Sequence, residues 1–157
     1  MATRDPEKQV QQSFFDRILD EHPPSSWSAS ANLKRAHVLR DLDWLLNTRR
    51  TAVEVPEALV ELRRSLFRYG LPDISSLSSD SPESGRQLGR NVKEAIELFE
   101  PRLSGVRVSV TESAPGGRKE IRFKVRATLE MEPNPERVEF DTVLEISSGR
   151  FSVEGEL

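Results

Sequence analysis

Two hydrophobic periods divide this chain at residues 99–103. Before that point, Leu88, Val92 and Ile96 follow one another at intervals of four, the spacing of one face of an α-helix. After it, the valines of residues 106–110 recur at every second position, the spacing of a half-buried strand. The pattern therefore predicts an α+β fold in which helices precede strands.

The first part of the chain is predicted to form about four helices. They begin near Asp5, Asn32, Pro56 and Ser81, and Asp5-Pro6 and Ser81-Pro82 each offer a capping side chain followed by a proline that suits the first turn. The first helix is expected to end at residues 22–24, the last at Phe99 or Glu100, and Trp27 is expected in a loop. The faces predicted to be buried in the first three helices are Val10, Phe14, Ile18 and Leu19; Leu33, Ala36, Leu39, Leu42, Leu45 and Leu46; and Leu59, Leu62, Leu66 and either Tyr69 or Phe67.

The second part is predicted to form an antiparallel β-meander of three to four strands. The clearest strand runs from Ile121 to Met131, where apolar residues alternate with mostly charged ones. Short turns at 114–117, 133–135 and 147–149 make successive strands antiparallel, and the apolar face of such a sheet needs helices to cover it. We expect one domain over residues 1–157, with a variable tail at about 1–9.

Composition narrows the classes of function. The chain has no cysteine, which excludes disulfides and thiolate chemistry, and only two histidines, so a histidine-rich metal site or a nucleophilic triad is not predicted. The net charge of −3 is spread over interspersed charges, which does not favour nucleic-acid binding. No apolar run approaches the ~20 residues of a membrane helix. We therefore predict no catalytic, cofactor-binding or metal-binding residue, no nucleic-acid partner and no membrane insertion.

The helix-to-strand corner carries two charges that a corner does not need. Pro101 explains the break in the helix, because it lacks a backbone N–H and disfavours helical geometry in the preceding residue. Glu100 and Arg102 are open to two interpretations: an internal ion pair, or a contact with a partner. The charged face of the Ile121–Met131 strand is similarly open, either to solvent or to a partner strand.

Three motifs, in order along the chain, resemble those of one family. Residues 40–49, RDLDWLLNTR, resemble the RDLEWLLNTR signature of TssE, the small baseplate subunit of bacterial type VI secretion systems. Residues 69–73, YGLPD, resemble its NYGLPD stretch, with Arg68 where asparagine is usual. Residues 96–103 match the helix that leads into its Glu-Pro-Arg motif. That family is related to a tailed-phage baseplate wedge protein once labelled lysozyme-like.

The resemblance implies a cytoplasmic, non-enzymatic assembly protein, recruited with the baseplate to the inner face of the cell envelope. Its implied partners are the TssF and TssG wedge subunits, TssB/TssC-type sheath subunits, a TssK-type adaptor and the hub. It also implies that the sheet starts the contractile sheath by strand exchange. The Glu-Pro-Arg motif falls on Glu100, Pro101 and Arg102, which are then expected to hold the subunit in the wedge.

Two other functions remain as alternatives. The chain fits the equivalent wedge subunit of a contractile phage tail or a related injection machine. A muramidase-like enzyme is suggested only by the old family label and by the abundance of carboxylates, without a definable pair of catalytic acids.

Overall fold

The computed structural model of the protein describes residues 10–19, 26–74, 82–111, 120–132 and 134–156. Helices precede a four-stranded sheet, as the two hydrophobic periods predict, and the α+β prediction is confirmed. The elements in chain order are helices α1 (Phe14–Leu19), α2 (Trp27–Asn47) and α3 (Val60–Arg64), a 3₁₀ turn (Leu66–Arg68), helix α4 (Pro82–Phe99), and strands β1 (Leu103–Thr111), β2 (Glu120–Leu129), β3 (Glu136–Glu145) and β4 (Arg150–Glu156).

The sheet is an antiparallel meander in the order β1-β2-β3-β4, as predicted. Alternate residues of β2 point into the core, which confirms the pattern read from Ile121 to Met131. On the outer face, Lys124 Nζ and Arg126 Nε each lie 2.6 Å from the carboxylate of Glu139 on β3. On this exposed face, positive side chains of β2 therefore pair with a negative side chain of β3.

Helices α2 and α4 cover the apolar face of the sheet, with α4 against β1 and α2 against β4. Burial of one large apolar side chain contributes about 1.5–3 kcal/mol, so this single layer of contacts accounts for much of the fold's stability. The largest fully buried side chains are Phe123, Phe140, Phe151, Leu42, Leu45, Leu88, Ile96, Leu129 and Leu144.

The first helix is shorter than predicted and does not bury its apolar face. Residues 10–13 are described and are not helical, because Ser13 caps a helix that starts at Phe14: its hydroxyl accepts a hydrogen bond from the Asp16 N–H at 3.3 Å. Val10 is buried, but Phe14, Phe15, Ile18 and Leu19 are 63–76% exposed. The predicted start at Asp5 and the predicted end at residues 22–24 lie outside the described residues.

The second helix begins at Trp27, five residues before the predicted start. The Ser26 hydroxyl accepts a hydrogen bond from the Ala29 N–H at 3.2 Å, a helix cap that the prediction missed. Trp27 is thus helical and not in a loop. The buried face also differs from the prediction, because Val38 is buried whereas Ala36 is exposed.

The third predicted helix is interrupted. Only residues 60–64 are α-helical, and the Ser65 hydroxyl then binds the Leu62 carbonyl and the Phe67 N–H, which starts the 3₁₀ turn. Leu59, Leu62 and Leu66 are exposed, so the prediction of a buried face here is wrong.

The remaining boundaries agree more closely with the prediction. Helix α4 ends at Phe99, as predicted. The cap predicted at Ser81 and the turn predicted at 114–117 lie outside the described residues, as do residues 75–80. Strand β1 starts at Leu103, three residues before the alternating valines begin at Val106, because Leu103 already pairs with Leu129 of β2. Within the described ranges, no helix has both the length and the hydropathy to cross a bilayer.

Candidate partner-binding site at the junction of three motifs

The corner between α4 and β1 is a tight turn. The Glu100 N–H closes the last helical turn on the Ile96 carbonyl at 2.9 Å, and the Leu103 N–H then bonds to the Glu100 carbonyl at 3.0 Å. Pro101 occupies the second position of that four-residue turn, where its fixed φ is favourable, and it is exposed. The proline therefore has the structural role that the sequence assigns to it.

Glu100 and Arg102 form an internal, two-pronged ion pair. Arg102 Nε donates to Glu100 Oε1 at 2.5 Å, Nη2 donates to Oε2, and the Arg102 N–H also donates to Oε1 at 3.3 Å. Glu100 is only 3% exposed, so its carboxylate is removed from water and depends on this pairing.

A second carboxylate from α2 completes the contact. Arg102 Nη2 also donates to Asp41 Oδ2 at 2.6 Å, which ties the corner to a residue 61 positions earlier. Burial by itself would lower the pKa of Arg102. The hydrogen bonds that Arg102 donates to Glu100 and Asp41, together with the negative charges of these two residues, outweigh burial and raise that pKa. The guanidinium stays charged and fixed in orientation.

The ion-pair network continues from Asp41 toward α1. Arg40 Nε donates to Asp41 Oδ1 at 2.9 Å, and Arg40 Nη2 donates to Asp16 Oδ1 at 3.0 Å. His37 Nδ1 lies 3.0 Å from Asp16 Oδ2 but makes no hydrogen bond with a described residue, so the structure shows a proximity of these two residues that the sequence did not reveal. Burial tends to raise the pKa of Asp16, but hydrogen bonds from Ser13 and Arg40 and the charges of His37 and Arg40 lower it overall.

The three motifs that carry the family resemblance meet here. Between the first two, the Leu71 N–H donates to the Thr48 carbonyl at 2.8 Å and the Arg50 N–H donates to the Leu71 carbonyl at 2.9 Å. Between the second and third, the rings of Tyr69 and Phe99 meet edge to face, with centroids 5.2 Å apart. We call this assembly of residues 40–49, 69–73 and 99–103 the motif junction.

Gly70 allows the first two motifs to approach each other. Its φ is +97°, a backbone angle that glycine adopts without strain, and a Cβ at this position would lie 2.2 Å from the Thr48 carbonyl oxygen. A side chain fits neither the backbone angle nor the space.

The first motif also reaches the edge of the sheet. The Asn47 side chain donates to the Phe151 carbonyl at 3.1 Å and accepts from the Phe151 N–H at 3.0 Å. These Phe151 groups point away from β3, so Asn47 occupies the start of the outer edge of β4 in the way a neighbouring strand would.

A surface cleft of about 390 Å³ opens beside the corner. Its lining combines polar, aromatic and aliphatic side chains: Asp41, Glu100, Arg102, Tyr69, Phe99, Pro101, Leu45 and Ser13, the last directly before α1. The exposed apolar residues of α1 follow directly in sequence from that rim.

The two carboxylates around Arg102 are not arranged as the acid pair of a glycosidase. A glycosidase needs one of two acids free to give a proton, but Glu100 and Asp41 both accept hydrogen bonds from Arg102. Among the residues the structure describes, no group of three acidic or histidine side chains is placed to hold a metal ion.

Sequence reasoning placed Glu100, Pro101 and Arg102 correctly at one corner but missed what holds them. The structure adds Asp41, Asp16 and Asn47. Asp41 and Asn47 lie within the 40–49 motif, so that motif already pointed to them, whereas nothing in the local sequence around Asp16 indicates its partners.

Comparison with known proteins agrees with this reading. The profile of the family described as baseplate wedge protein gp25 matches residues 33–134, a range that contains all three motifs and well over half of the chain. A chain in a solved structure, "The baseplate complex from the type VI secretion system", is similar in fold, with a TM-score of 0.50 and 21% identity over 71% of this chain and 94% of that chain. A search of curated proteins finds no match. The family expected from the motifs is thereby confirmed, and this chain belongs to the gp25 family of baseplate wedge proteins.

Proposed function

We propose that this protein is a type VI secretion baseplate subunit that docks on TssF and TssG wedge subunits and starts the TssB/TssC-type sheath by strand exchange. The family supports the wedge role, and the three motifs support the secretion system. Assembly with these partners would place the protein in the cytoplasm, at the inner face of the cell envelope. The TssK-type adaptor and the hub would lie in the same assembly. The observation that carries the proposal is the exposed surface around the corner cleft.

The wedge contact uses Pro101 and Arg102 directly and Glu100 indirectly. Pro101 is exposed and Arg102 borders the cleft, so both are accessible to a partner. Glu100 is buried and has both oxygens engaged by Arg102, so its role is to hold the guanidinium in place. This division of roles reconciles an internal ion pair with a binding function for the motif.

Exposed apolar side chains on α1 extend this surface. Phe14, Phe15, Ile18 and Leu19 occupy one short helix next to the cleft, and each is more than 60% exposed. Clustered exposed apolar residues are typical of protein–protein interfaces, where aromatic side chains supply much of the binding energy. We call these four residues the α1 apolar face and propose that a wedge subunit covers it.

The sheath contact uses the outer edge of β4. Because the backbone groups of Phe151 point away from β3, the alternation of an antiparallel ladder turns those of Val153 and Gly155 outward as well. The opposite edge, β1, is irregular: its pairing with β2 shifts between Ser104 and Arg107, and such bulges discourage strand addition. The β4 edge beyond Asn47 therefore suits an incoming strand better.

Paired proline variants test this assignment in cells. Val153→Pro removes an outward N–H from β4. Val110→Pro removes one from β1, because the alternation of hydrogen-bonded positions across the sheet turns Ser109 and Thr111 toward β2 and the N–H of Val110 away from it. With fluorescent sheath as the readout, Val153→Pro is expected to abolish sheath formation and Val110→Pro to preserve it. Sheaths that form normally with Val153→Pro, while the β1 variant prevents them, would contradict the assignment; melting temperatures of both variants serve as the folding control.

A further inference from the structure

A second cleft, also about 390 Å³, separates α3 and its 3₁₀ turn from α4. Arg63, Arg64 and Arg68 line one side together with Val60, and the opposite wall carries Leu98 and two glutamates. None of the residues that line the corner cleft lines this one. It is a separate surface with its own chemistry.

The two glutamates of this cleft already have cationic neighbours. Glu94 lies 3.3 Å from Arg68, and Glu97 lies 3.7 Å from Lys93 on its own helix. In contrast, Arg63 and Arg64 make no ion pair with any described residue, and Arg64 is exposed. The charged groups of the cleft that lack an ion pair with a described residue are therefore positive.

Arg50 does not line this cleft, but it lies close enough to Arg68 and Glu94 for their charges to interact. It makes no ion pair within the described ranges either, although it is partly buried. Its pKa is lowered by burial and by the charge of Arg68, with Glu94 giving only partial compensation. A negative group brought to this surface would relieve that repulsion. We call Arg50, Arg63, Arg64 and Arg68 the arginine face.

We propose that the arginine face binds an acidic segment of a protein partner, with an apolar side chain of that segment seated between Val60 and Leu98. Val60 is half exposed, so it offers an apolar contact beside guanidinium groups that favour carboxylates. Glu94 and Glu97 on the wall, and the negative charge of the whole chain, oppose a nucleic-acid strand. This inference goes beyond the wedge and sheath contacts and does not depend on them.

Fluorescence anisotropy with the full chain tests the proposal. The probe is a short labelled peptide of glutamates flanking one leucine; a peptide with glycine in place of leucine and a single-stranded DNA of equal charge are the comparison ligands. The test variant is Arg63→Glu with Arg64→Glu. The control is Arg107→Glu with Arg137→Glu, which makes the same change of charge near a different cleft, beside β1 and β3.

The expected result is saturable binding of the leucine peptide that falls at least about tenfold in the test variant and persists in the control. The glycine peptide and the DNA are expected to bind more weakly. The proposal is overturned if wild-type protein does not bind the leucine peptide, if the control loses binding as strongly as the test variant, or if either comparison ligand binds as tightly. Equal melting temperatures of the two variants exclude unfolding as the cause.

Discussion

The motif junction and the arginine face use the same residue type in opposite ways. At the junction, Arg102 is held by Glu100 and Asp41, and its side chain is 20% exposed. On the arginine face, Arg63 and Arg64 have no carboxylate partner among the described residues. The arginine of the most recognisable motif is therefore held by carboxylates of its own chain, whereas Arg63 and Arg64, from a less distinctive stretch, have no such partner among the described residues.

This difference has a simple energetic basis. A buried carboxylate such as Glu100 is costly unless it is paired, so losing one partner of the pair costs several kcal/mol. An exposed arginine is solvated whether or not it is paired, and its loss changes the free energy of unfolding little. Substitutions at the junction should therefore act on stability first, and substitutions on the arginine face on binding alone.

The largest effect is expected from Gly70→Ala, which separates two of the motifs. The new Cβ would meet the Thr48 carbonyl at 2.2 Å and sit at a positive φ, so we expect the free energy of unfolding to fall by about 4 kcal/mol. Urea denaturation measures it. Gly105→Ala is the matched control, because Gly105 also has a positive φ but no atom within 4 Å of the new Cβ. Equal losses in the two variants would show that Thr48 does not constrain Gly70.

The next effect is expected from Arg102→Ala. If Arg102 served only as a partner contact, its loss would leave the isolated protein as stable as before, but Glu100 is buried and depends on Arg102 for its pairing. We expect a loss of about 3 kcal/mol, because a buried carboxylate is left without its cation. The double variant Arg102→Met, Glu100→Leu should recover part of the loss. If Arg102→Ala melts at the wild-type temperature, the pair does not brace the corner.

A smaller, pH-dependent effect is expected from Asp16→Asn. The pKa of Asp16 is lower in the folded protein than in the unfolded chain, so its charged form stabilises the fold above about pH 4 and stops doing so as the pH falls through the folded pKa. The variant should be less stable by about 2 kcal/mol at pH 7, and the gap should shrink below about pH 4. Thermal unfolding across this range measures it. A gap that stays constant down to pH 2 would rule out the charge of Asp16 as its origin.

The smallest effect on stability is expected from Arg63→Glu with Arg64→Glu. Arg64 is exposed and Arg63 is partly exposed, and neither makes an ion pair with a described residue, so the free energy of unfolding should change by no more than about 0.5 kcal/mol. Urea denaturation measures this as well. A loss comparable to that of Arg102→Ala would place these arginines with the junction and remove the contrast between the two regions.

The prediction from sequence succeeded where the hydrophobic period determines both the type of secondary structure and the face that is buried. Strand β2 alternates and buries its apolar residues, and α4 runs to Phe99 as its spacing indicates. The helical period also marked α1 and the segment around Leu59 and Leu66, but periodicity does not tell whether an apolar face meets the core of its own chain or the surface of another. Both segments stay exposed here.

The candidate site was predicted in part for a related reason. Glu100, Pro101 and Arg102 are neighbours in sequence, so their corner follows from the proline and the change of period. The contact of Arg102 with Asp41 joins residues 61 positions apart, and no local rule connects them. The start of α2 could have been predicted better, because Ser26 three residues before Ala29 is a recognisable helix cap.

In the proposed assembly, the wedge docks on the surface beside the motif junction, and this surface includes the α1 apolar face. The most direct measurement is a pull-down of wild-type protein, of Phe14→Ser with Phe15→Ser, and of the control Val53→Ser against TssF–TssG and against sheath subunits separately. Val53 is as exposed as the two phenylalanines but lies in a different segment. We expect the double variant to lose TssF–TssG and keep the sheath subunits, while the control keeps both. If the double variant retains TssF–TssG, or if the control loses it, the α1 apolar face is not the docking surface.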